Sequence, residues 1–106
     1  MAYTKHYHTT EPTRAEVDAS EGVTLLEFGA PGCGFCLAIQ PALETALQDV
    51  SLSHLKVEDG SGRPLGRSFG VKLWPTLVML CDGVEVARAV RPSGAEVGRL
   101  VAQYRS

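Results

Sequence analysis

The sequence has few cysteines, little net charge and no long apolar run. It contains three cysteines in 106 residues, and three cannot form the even-numbered disulfide framework of a small secreted scaffold. The formal net charge of −2 gives no strong field that would attract a nucleic acid or an anionic membrane. No segment approaches the roughly 18–20 apolar residues of a membrane span. We therefore expect no nucleic-acid partner and no membrane partner.

The first residues also lack the apolar centre of a secretory signal. Residues 1–14 read MAYTKHYHTTEPTR, and this polarity favours a cytoplasmic location. In a reducing compartment, a C-x-x-C motif is more often catalytic or metal-binding than structural. The composition, 44% hydrophobic and 21% charged, is typical of one globular domain. Because no repeat or linker interrupts the chain, we expect a single domain over residues 1–106.

Hydrophobic patterning predicts alternating strands and helices. Nearly continuous apolar runs predict buried strands, and an Asp-Gly pair between two such runs predicts a hairpin turn at residues 82–83. Two capping boxes, at residues 13–16 and 93–96, predict the starts of the first and last helices. The predicted strands cover residues 2–8, 23–29, 51–57, 76–81 and 84–90.

Apolar residues at helical spacing predict one helix from Gly34 to about Val50. Pro41 lies inside this helix and is expected to kink it rather than end it. A short helix is predicted within residues 63–70, closed by Gly70 in a left-handed conformation. The order β-α-β-α-β-α-β-β-α predicts an α/β fold with a central mixed sheet of four to five strands and helices on both faces.

The motif GAPGCGFCL places Cys33 and Cys36 at a transition from strand to helix. There the Cys33 sulfur lies near unpaired backbone amides and the positive end of the helix dipole, which favour thiolate over thiol. Cys36 follows one helical turn later on the same side. A disulfide across so short a ring adds little stability. The pair is therefore predicted to form a disulfide that opens and closes reversibly.

Two other interpretations of the pair remain open. Structural zinc generally takes four ligands, and this chain offers one C-x-x-C together with scattered Cys81, His6, His8 and His54. The other alternative is an interaction or scaffold module that keeps the fold without turnover. Cys81 itself is interpreted as a small buried hydrophobe at the end of an apolar strand. We predict no metal site.

The segments LLEFGAPGCGFC, KLWPT and DGVEV, with a proline five residues after Cys36, resemble the thioredoxin superfamily over essentially the whole chain. EFGAP and the aromatic residue before the later proline are similar to protein disulfide isomerase modules, whereas the length and the turn are similar to bacterial thioredoxins. The resemblance implies that Cys33 is the exposed nucleophile and Cys36 the buried resolving thiol. It also implies that the Trp74–Pro75 peptide bond is cis and packs against the disulfide.

The resemblance further implies an activity. It indicates a thiol-disulfide oxidoreductase that reduces protein disulfides through a mixed disulfide with its client and a reversible Cys33–Cys36 disulfide. The implied partners are a disulfide-containing protein substrate and a reductase that donates electrons. The protein is expected to work as a monomer and to need no bound cofactor.

Glu27 is a lone carboxylate inside the apolar strand before the cysteines. An unpaired buried charge is costly, so Glu27 should be neutral or have a partner. In the thioredoxin superfamily an acid at this position handles the proton of the resolving thiol. Lys56 lies 19 residues before Pro75, at the spacing of the family's lysine, and is the candidate partner. The alternative is a glutamate that reaches solvent from the strand end.

Three positions depart from the usual thioredoxin pattern. Gly32 stands where thioredoxins carry tryptophan, Phe35 replaces the proline or histidine between the cysteines, and Arg91 stands where a glycine is usual. We interpret these departures as a narrower or different set of clients. Trp74 is predicted to form a wall of a groove in which an extended client segment pairs with the main chain. The predicted substrate-binding residues are Gly32, Gly34, Phe35, Trp74, Pro75 and Arg91.

Ordinary roles are the alternatives for two of these residues. Arg91 is equally well explained as a solvated surface charge, which usually contributes little. Trp74 is alternatively a core-filling residue, since tryptophans are mostly buried.

Overall fold

A four-stranded mixed sheet forms the centre of the described chain. The computed structural model describes residues 2–105. The strands in this range are β1 (Val23–Gly29), β2 (Ser53–Glu58), β3 (Thr76–Cys81) and β4 (Val84–Val90), in the spatial order β2-β1-β3-β4. β1 runs parallel to β2 and antiparallel to β3, and β3 forms a hairpin with β4. The predicted fold class is confirmed.

The helices of residues 2–105 are α1 (Arg14–Asp18), α2 (Gly34–Ala38), α3 (Gln40–Ala46), α4 (Pro64–Ser68) and α5 (Gly94–Tyr104). Both predicted capping boxes are present, at the starts of α1 and α5, and each satisfies two amides that a helix start leaves unpaired. The longest of these helices, α5, has 11 residues. Within the described range, no helix has the length and apolar character that crossing a bilayer requires.

Side chains of β1 alternate between two apolar clusters, one on each face of the sheet. Leu25 packs in the cluster that contains residues of α3 and α5, whereas Leu26 and Phe28 pack in the cluster that contains residues of α1 and α4. Coverage of both faces explains the nearly continuous apolar run of this strand. By the same alternation, Glu27 points to the Leu25 face. The fold thus places a carboxylate on the face that carries α3.

The predicted single helix over residues 34–50 is wrong, because the structure has two helices there. Ile39 (φ −91°, ψ −4°) separates α2 from α3, and α3 ends at Ala46. Pro41 has no amide hydrogen, and its ring crowds the carbonyl of Leu37, four residues earlier. The helix restarts with Pro41 in its first turn, where a missing N–H costs nothing. The proline therefore divides the helix instead of bending it.

The predicted strand over residues 2–8 is also wrong, since these residues form an irregular N-terminal segment. The Thr4 amide donates to His54 Nδ1 at 2.8 Å instead of to a strand carbonyl. The amide of His8 donates to Lys56 O at 3.0 Å. The segment follows the edge of β2 and is held by individual contacts to side chains and main chain. The alternating pattern of its sequence therefore does not indicate strand pairing.

Candidate active site

Cys33 lies at the junction between β1 and α2. Its backbone is extended (φ −85°, ψ 115°) and it is the N-cap of α2. The Cys36 amide donates to Cys33 Sγ at 3.2 Å, so the sulfur accepts one of the amides that a helix start leaves unpaired. Cys33 is partly exposed. A sulfur that both accepts an amide hydrogen and meets solvent is suited to attack a disulfide.

Cys36 is nearly inaccessible, with 1% of its surface exposed. Burial, followed by the hydrogen bond with Cys33, raises the pKa of the Cys36 thiol to about 12. A backbone hydrogen bond with Ala30 opposes this shift, and the negative charge of Glu27 adds to it. At neutral pH Cys36 therefore keeps its proton. Both thiols of the motif are free, and they differ in access.

Glu27 is fully buried, which excludes the alternative that it reaches solvent. One carboxylate oxygen lies 2.7 Å from His54 Nε2, and the other accepts from Gln40 Nε2 at 2.9 Å. The predicted partner, Lys56, places Nζ 3.9 Å from Glu27 Oε2, within ion-pair range but beyond hydrogen-bond distance. Its Nζ donates instead to Gln40 Oε1 at 2.9 Å. Lys56 thus reaches Glu27 mainly through Gln40.

The hydrogen-bond pattern assigns the tautomer of His54. Because the Thr4 amide donates to Nδ1, Nδ1 must carry the lone pair and Nε2 the hydrogen. Nε2 then donates to Glu27 Oε1. The imidazole also stacks on Tyr3, with ring centroids 5.7 Å apart. The carboxylate is therefore fixed by one donor from β2 and one from the start of α3.

Gln40, His54 and Tyr7 are site residues that the sequence analysis did not identify in this role. Gln40 Nε2 also donates to the backbone oxygen of Cys36 at 2.8 Å, and it lies four residues after Cys36, on the same helical side. His54 lies two residues before Lys56, on the same face of β2. These two spacings are the sequence signals that could have identified Gln40 and His54. Tyr7 belongs to the irregular N-terminal segment, and no spacing points to it.

The loop before β3 and the residue after β4 meet the start of α2. The Trp74–Pro75 peptide bond is cis. The backbone amide of Arg91 donates to Pro75 O, and Arg91 Nε donates to Trp74 O, both at 2.8 Å. The Arg91 guanidinium carbon lies 4.4 Å from the ring centroid of Phe35. The structure thus brings Phe35, Trp74, Pro75 and Arg91 together.

The surface around this contact is open. The Phe35 side chain is 58% exposed, and a Cβ added at Gly32 or Gly34 would meet no heavy atom within 4 Å. Trp74 is partly buried, and its indole N–H donates to Asp59 Oδ2 at 2.8 Å. Trp74 is therefore not a simple core-filling residue. Packing of Pro75 against a closed disulfide stays a prediction.

The interpretation of Cys81 as a buried hydrophobe is wrong, because Cys81 is exposed. It is the last residue of β3, directly before the hairpin turn, whereas the five residues before it in the strand are buried. His6 and His8 are exposed residues of the N-terminal segment. Within residues 2–105, no group of three His, Cys, Asp or Glu side chains could hold a metal ion.

A family model for thioredoxin matches residues 4–103. The chain belongs to the thioredoxin family. Thioredoxin of Bacillus subtilis (strain 168) is 37% identical over 82 residues, which are 74% of this chain and 79% of that protein. Thioredoxin of Chlamydia muridarum is 38% identical over 73 residues, 67% of this chain and 71% of that protein. The structure of reduced thioredoxin 2 from Pseudomonas aeruginosa PAO1 is 50% identical, covers 95% of this chain and 99% of that chain, and superposes with a TM-score of 0.82.

Membership of the thioredoxin family, together with the C-x-x-C pair, makes the protein a thiol-disulfide oxidoreductase of the protein-disulfide reductase type. In general terms, its substrates are disulfides and its partner is a reductase that restores the dithiol. This activity is favoured over the scaffold and zinc alternatives.

Proposed function

We propose that Cys33 is the nucleophile and Cys36 the resolving thiol of a two-step exchange. The difference between the sulfurs carries this proposal: Cys33 is partly exposed and accepts an amide hydrogen, whereas Cys36 is 1% exposed. The Cys33 thiolate attacks a client disulfide, forming a Cys33–client bond and breaking the client's S–S bond. The released client sulfur takes up a proton.

The second step closes the pair. Cys36 loses its proton, and its thiolate attacks Cys33 Sγ. The Cys33–client bond breaks, the Cys33–Cys36 bond forms, and the second client sulfur takes up a proton. The client has then gained the two electrons and two protons that the pair has lost, and the reductase returns them. Trapping of the mixed disulfide in a Cys36→Ala variant tests this order of events.

Glu27 is proposed as the acceptor of the Cys36 proton, with Lys56 as its charge partner. Two observations support this role. Glu27 is completely buried on the sheet face that carries α3. The side-chain amide of Gln40 donates to both Glu27 Oε2 and the Cys36 carbonyl oxygen. Lys56 balances the charge at 3.9 Å. An acceptor inside the fold is needed, because the high pKa of Cys36 leaves almost no thiolate at neutral pH.

Glu27→Gln is expected to slow the second step about tenfold or more near pH 7, because the amide cannot accept the proton. The first step should change little. The pKa of Cys36 should meanwhile fall, since the negative charge of Glu27 helps to raise it. Rapid mixing with a disulfide-bonded peptide, acid quench and mass spectrometry from pH 6 to 10 separates the two steps. Glu44→Gln, on the exposed side of α3, is the matched control, and an unchanged pH profile would sink the role of Glu27.

The client-binding surface is proposed to consist of Gly32, Gly34, Phe35, Trp74, Pro75 and Arg91. The contacts that join Phe35, Trp74, Pro75 and Arg91 and the open space at the two glycines support this assignment. Arg91 Nε donates a hydrogen bond to the Trp74 carbonyl oxygen. A client segment that adds as a strand would use the same oxygen as an acceptor. A client that binds in the groove therefore contacts the Arg91 guanidinium. This positive charge favours clients with a carboxylate next to the reacting cysteine.

Arg91→Ala is expected to remove a charge preference among clients. Exposed ion pairs contribute about 0.2–1 kcal/mol, so the wild-type protein should reduce a peptide disulfide flanked by glutamate roughly two- to fivefold faster, as kcat/KM, than one flanked by lysine. Added salt should shrink this difference. Arg99→Ala, an exposed substitution on α5, should leave it intact. If Arg91→Ala keeps the full difference, Arg91 is only a solvated surface charge.

Three broader assignments complete the proposal. The protein is proposed to act as a monomer, in the cytoplasm, and as a single domain over residues 1–106. The monomer assignment is supported by the site itself, since one chain supplies both cysteines, the buried carboxylate and the groove. Nothing in the two-step exchange needs a second copy.

A further inference from the structure

Tyr7 is a further polar side chain that lies near the Cys36 sulfur. Its hydroxyl and the Cys36 sulfur lie close together. Gly29, the last residue of β1, shows how close the two groups lie: a Cβ built on Gly29 would come 2.7 Å from Cys36 Sγ and 2.9 Å from Tyr7 Oη. Both atoms therefore rest against the same backbone position. The missing side chain of Gly29 leaves the space that they share.

The N-terminal segment holds Tyr7 from both sides along β2. Before it in sequence, Thr4 donates through its amide to His54 Nδ1 and through Oγ1 to His54 O, at 2.8 and 2.9 Å. After it, the His8 amide donates to Lys56 O at 3.0 Å. The ammonium of Lys56 also lies 4.8 Å from the centroid of the Tyr7 ring, within cation–π range. The anchored segment thus keeps the hydroxyl near the sulfur.

We propose that the Tyr7 hydroxyl donates a hydrogen bond to the Cys36 thiolate that forms in the second step, and thereby stabilises the nucleophile that resolves the mixed disulfide. This role rests on the proposed function, since it needs Cys36 as the resolving thiol. The Cys36 proton goes to Glu27, while Tyr7 keeps its own. The hydrogen bond is released when the sulfur attacks Cys33 Sγ and becomes part of the disulfide.

The electrostatics of the site keep Tyr7 in the donating form. Burial, with the neighbouring charges of Cys36 and Glu27, raises the pKa of Tyr7 well above its usual range. The hydroxyl therefore remains protonated throughout the working pH range. Donation to the thiolate favours the ionised form of Cys36, so loss of the hydroxyl should raise the pKa of Cys36.

Tyr7→Phe removes the hydroxyl and keeps the ring. In a Cys33→Ala, Cys81→Ala background, a ¹³Cβ NMR titration of Cys36 should give a pKa about one unit higher with Tyr7→Phe than without it. With all cysteines present, the second step at pH 7 should slow roughly threefold, because a tenfold loss of thiolate is partly offset by greater nucleophilicity. The first step should not change. Tyr104→Phe, which removes a hydroxyl bonded to Val86 O on the surface, is the control.

The sign of the pKa change separates the possible outcomes. If Tyr7 served only as packing, Tyr7→Phe would keep the ring in place and leave the Cys36 pKa unchanged, because the burial that mainly raises this pKa would stay the same. An unchanged or lower pKa in Tyr7→Phe therefore overturns the proposal. If wild-type protein never resolves the mixed disulfide, the proposed function fails instead, and the titration still reports on the hydrogen bond.

Discussion

Replacing Cys36 with alanine is expected to stop turnover and to trap the client on Cys33. The backbone amide of residue 36, which donates to Cys33 Sγ at 3.2 Å, survives the substitution. The first attack should therefore stay within about threefold of the wild-type rate. Without the second sulfur the mixed disulfide must wait for an external thiol, so multiple-turnover reduction should fall roughly 1000-fold or more. Intact-mass spectrometry should show one client per protein.

Two further cysteine variants make this result specific. Cys33→Ala should give neither adduct nor turnover, because the remaining thiol of the pair is buried and protonated at neutral pH. Cys81→Ala should keep both steps, since Cys81 is an exposed residue at the hairpin end of β3. An adduct found on Cys81 in the Cys36→Ala protein, in place of Cys33, would overturn the assignment of the nucleophile.

Gly83→Ala is expected to destabilise the fold by roughly 3 kcal/mol or more. Asp82 and Gly83 form the turn between β3 and β4, with φ values of +49° and +81°, as a two-residue hairpin turn of this twist requires. A Cβ on Gly83 would overlap the carbonyl of Asp18 at the end of α1. Hydrogen bonds hold both backbones, since the Asp82 amide donates to Gly22 O and the Ala19 amide donates to Ala15 O. The free energy of unfolding, measured in urea, checks this loss.

Substitutions at two other glycines separate the two causes of the lost stability, which are the strained backbone conformation and the overlap with Asp18. Gly22 has a φ of +74° but open space around a built Cβ, so Gly22→Ala should cost only the conformational part, about 1–2 kcal/mol. Gly98 lies within α5 with space for a methyl group, and Gly98→Ala should stabilise by about 0.5–1 kcal/mol. Equal losses in Gly83→Ala and Gly22→Ala would show that contact with Asp18 does not matter.

Local sequence signals predicted most of the fold, because each depends on neighbouring residues. The predicted strand over residues 23–29 has the same bounds as β1, since a strand covered on both faces must be apolar throughout. The capping boxes and the Asp-Gly turn occur where the sequence places them. Gly70, predicted as a left-handed helix terminator, has a φ of +69°.

The errors arise where a distant contact decides the structure. The N-terminal segment alternates like a strand, yet the Thr4 amide bonds a histidine ring 50 residues away. Cys81 continues an apolar run, yet it is exposed at the end of a strand whose other residues are buried. The error at Pro41 is the local exception: a proline inside a helix can either bend it or break it, and here the helix breaks at Ile39.

In the candidate site, too, local sequence identifies some residues, whereas contacts between distant elements decide others. Cys33 and Cys36 were identified from their spacing at the strand-to-helix junction, and Glu27 was identified as the lone carboxylate of the apolar strand before them. The direct partners of Glu27 are His54 and Gln40, which come from two other elements. Sequence spacing indicated Lys56, which lies opposite Glu27 in the register of β1 and β2. Which polar side chain reaches the carboxylate depends on side-chain length and direction, which spacing does not report.

Timed alkylation of the folded dithiol protein at pH 7, read by peptide mass spectrometry, measures the difference between the two sulfurs most directly. With its pKa raised to about 12 by burial, Cys36 should hold roughly 3000-fold less thiolate than a free cysteine of pKa about 8.5, and greater nucleophilicity recovers only about 30-fold of this. Cys36 is therefore expected to react about 100-fold more slowly than a cysteine peptide, with Cys33 modified first. Equal rates at Cys33 and Cys36 would contradict the division into an exposed nucleophile and a buried resolving thiol.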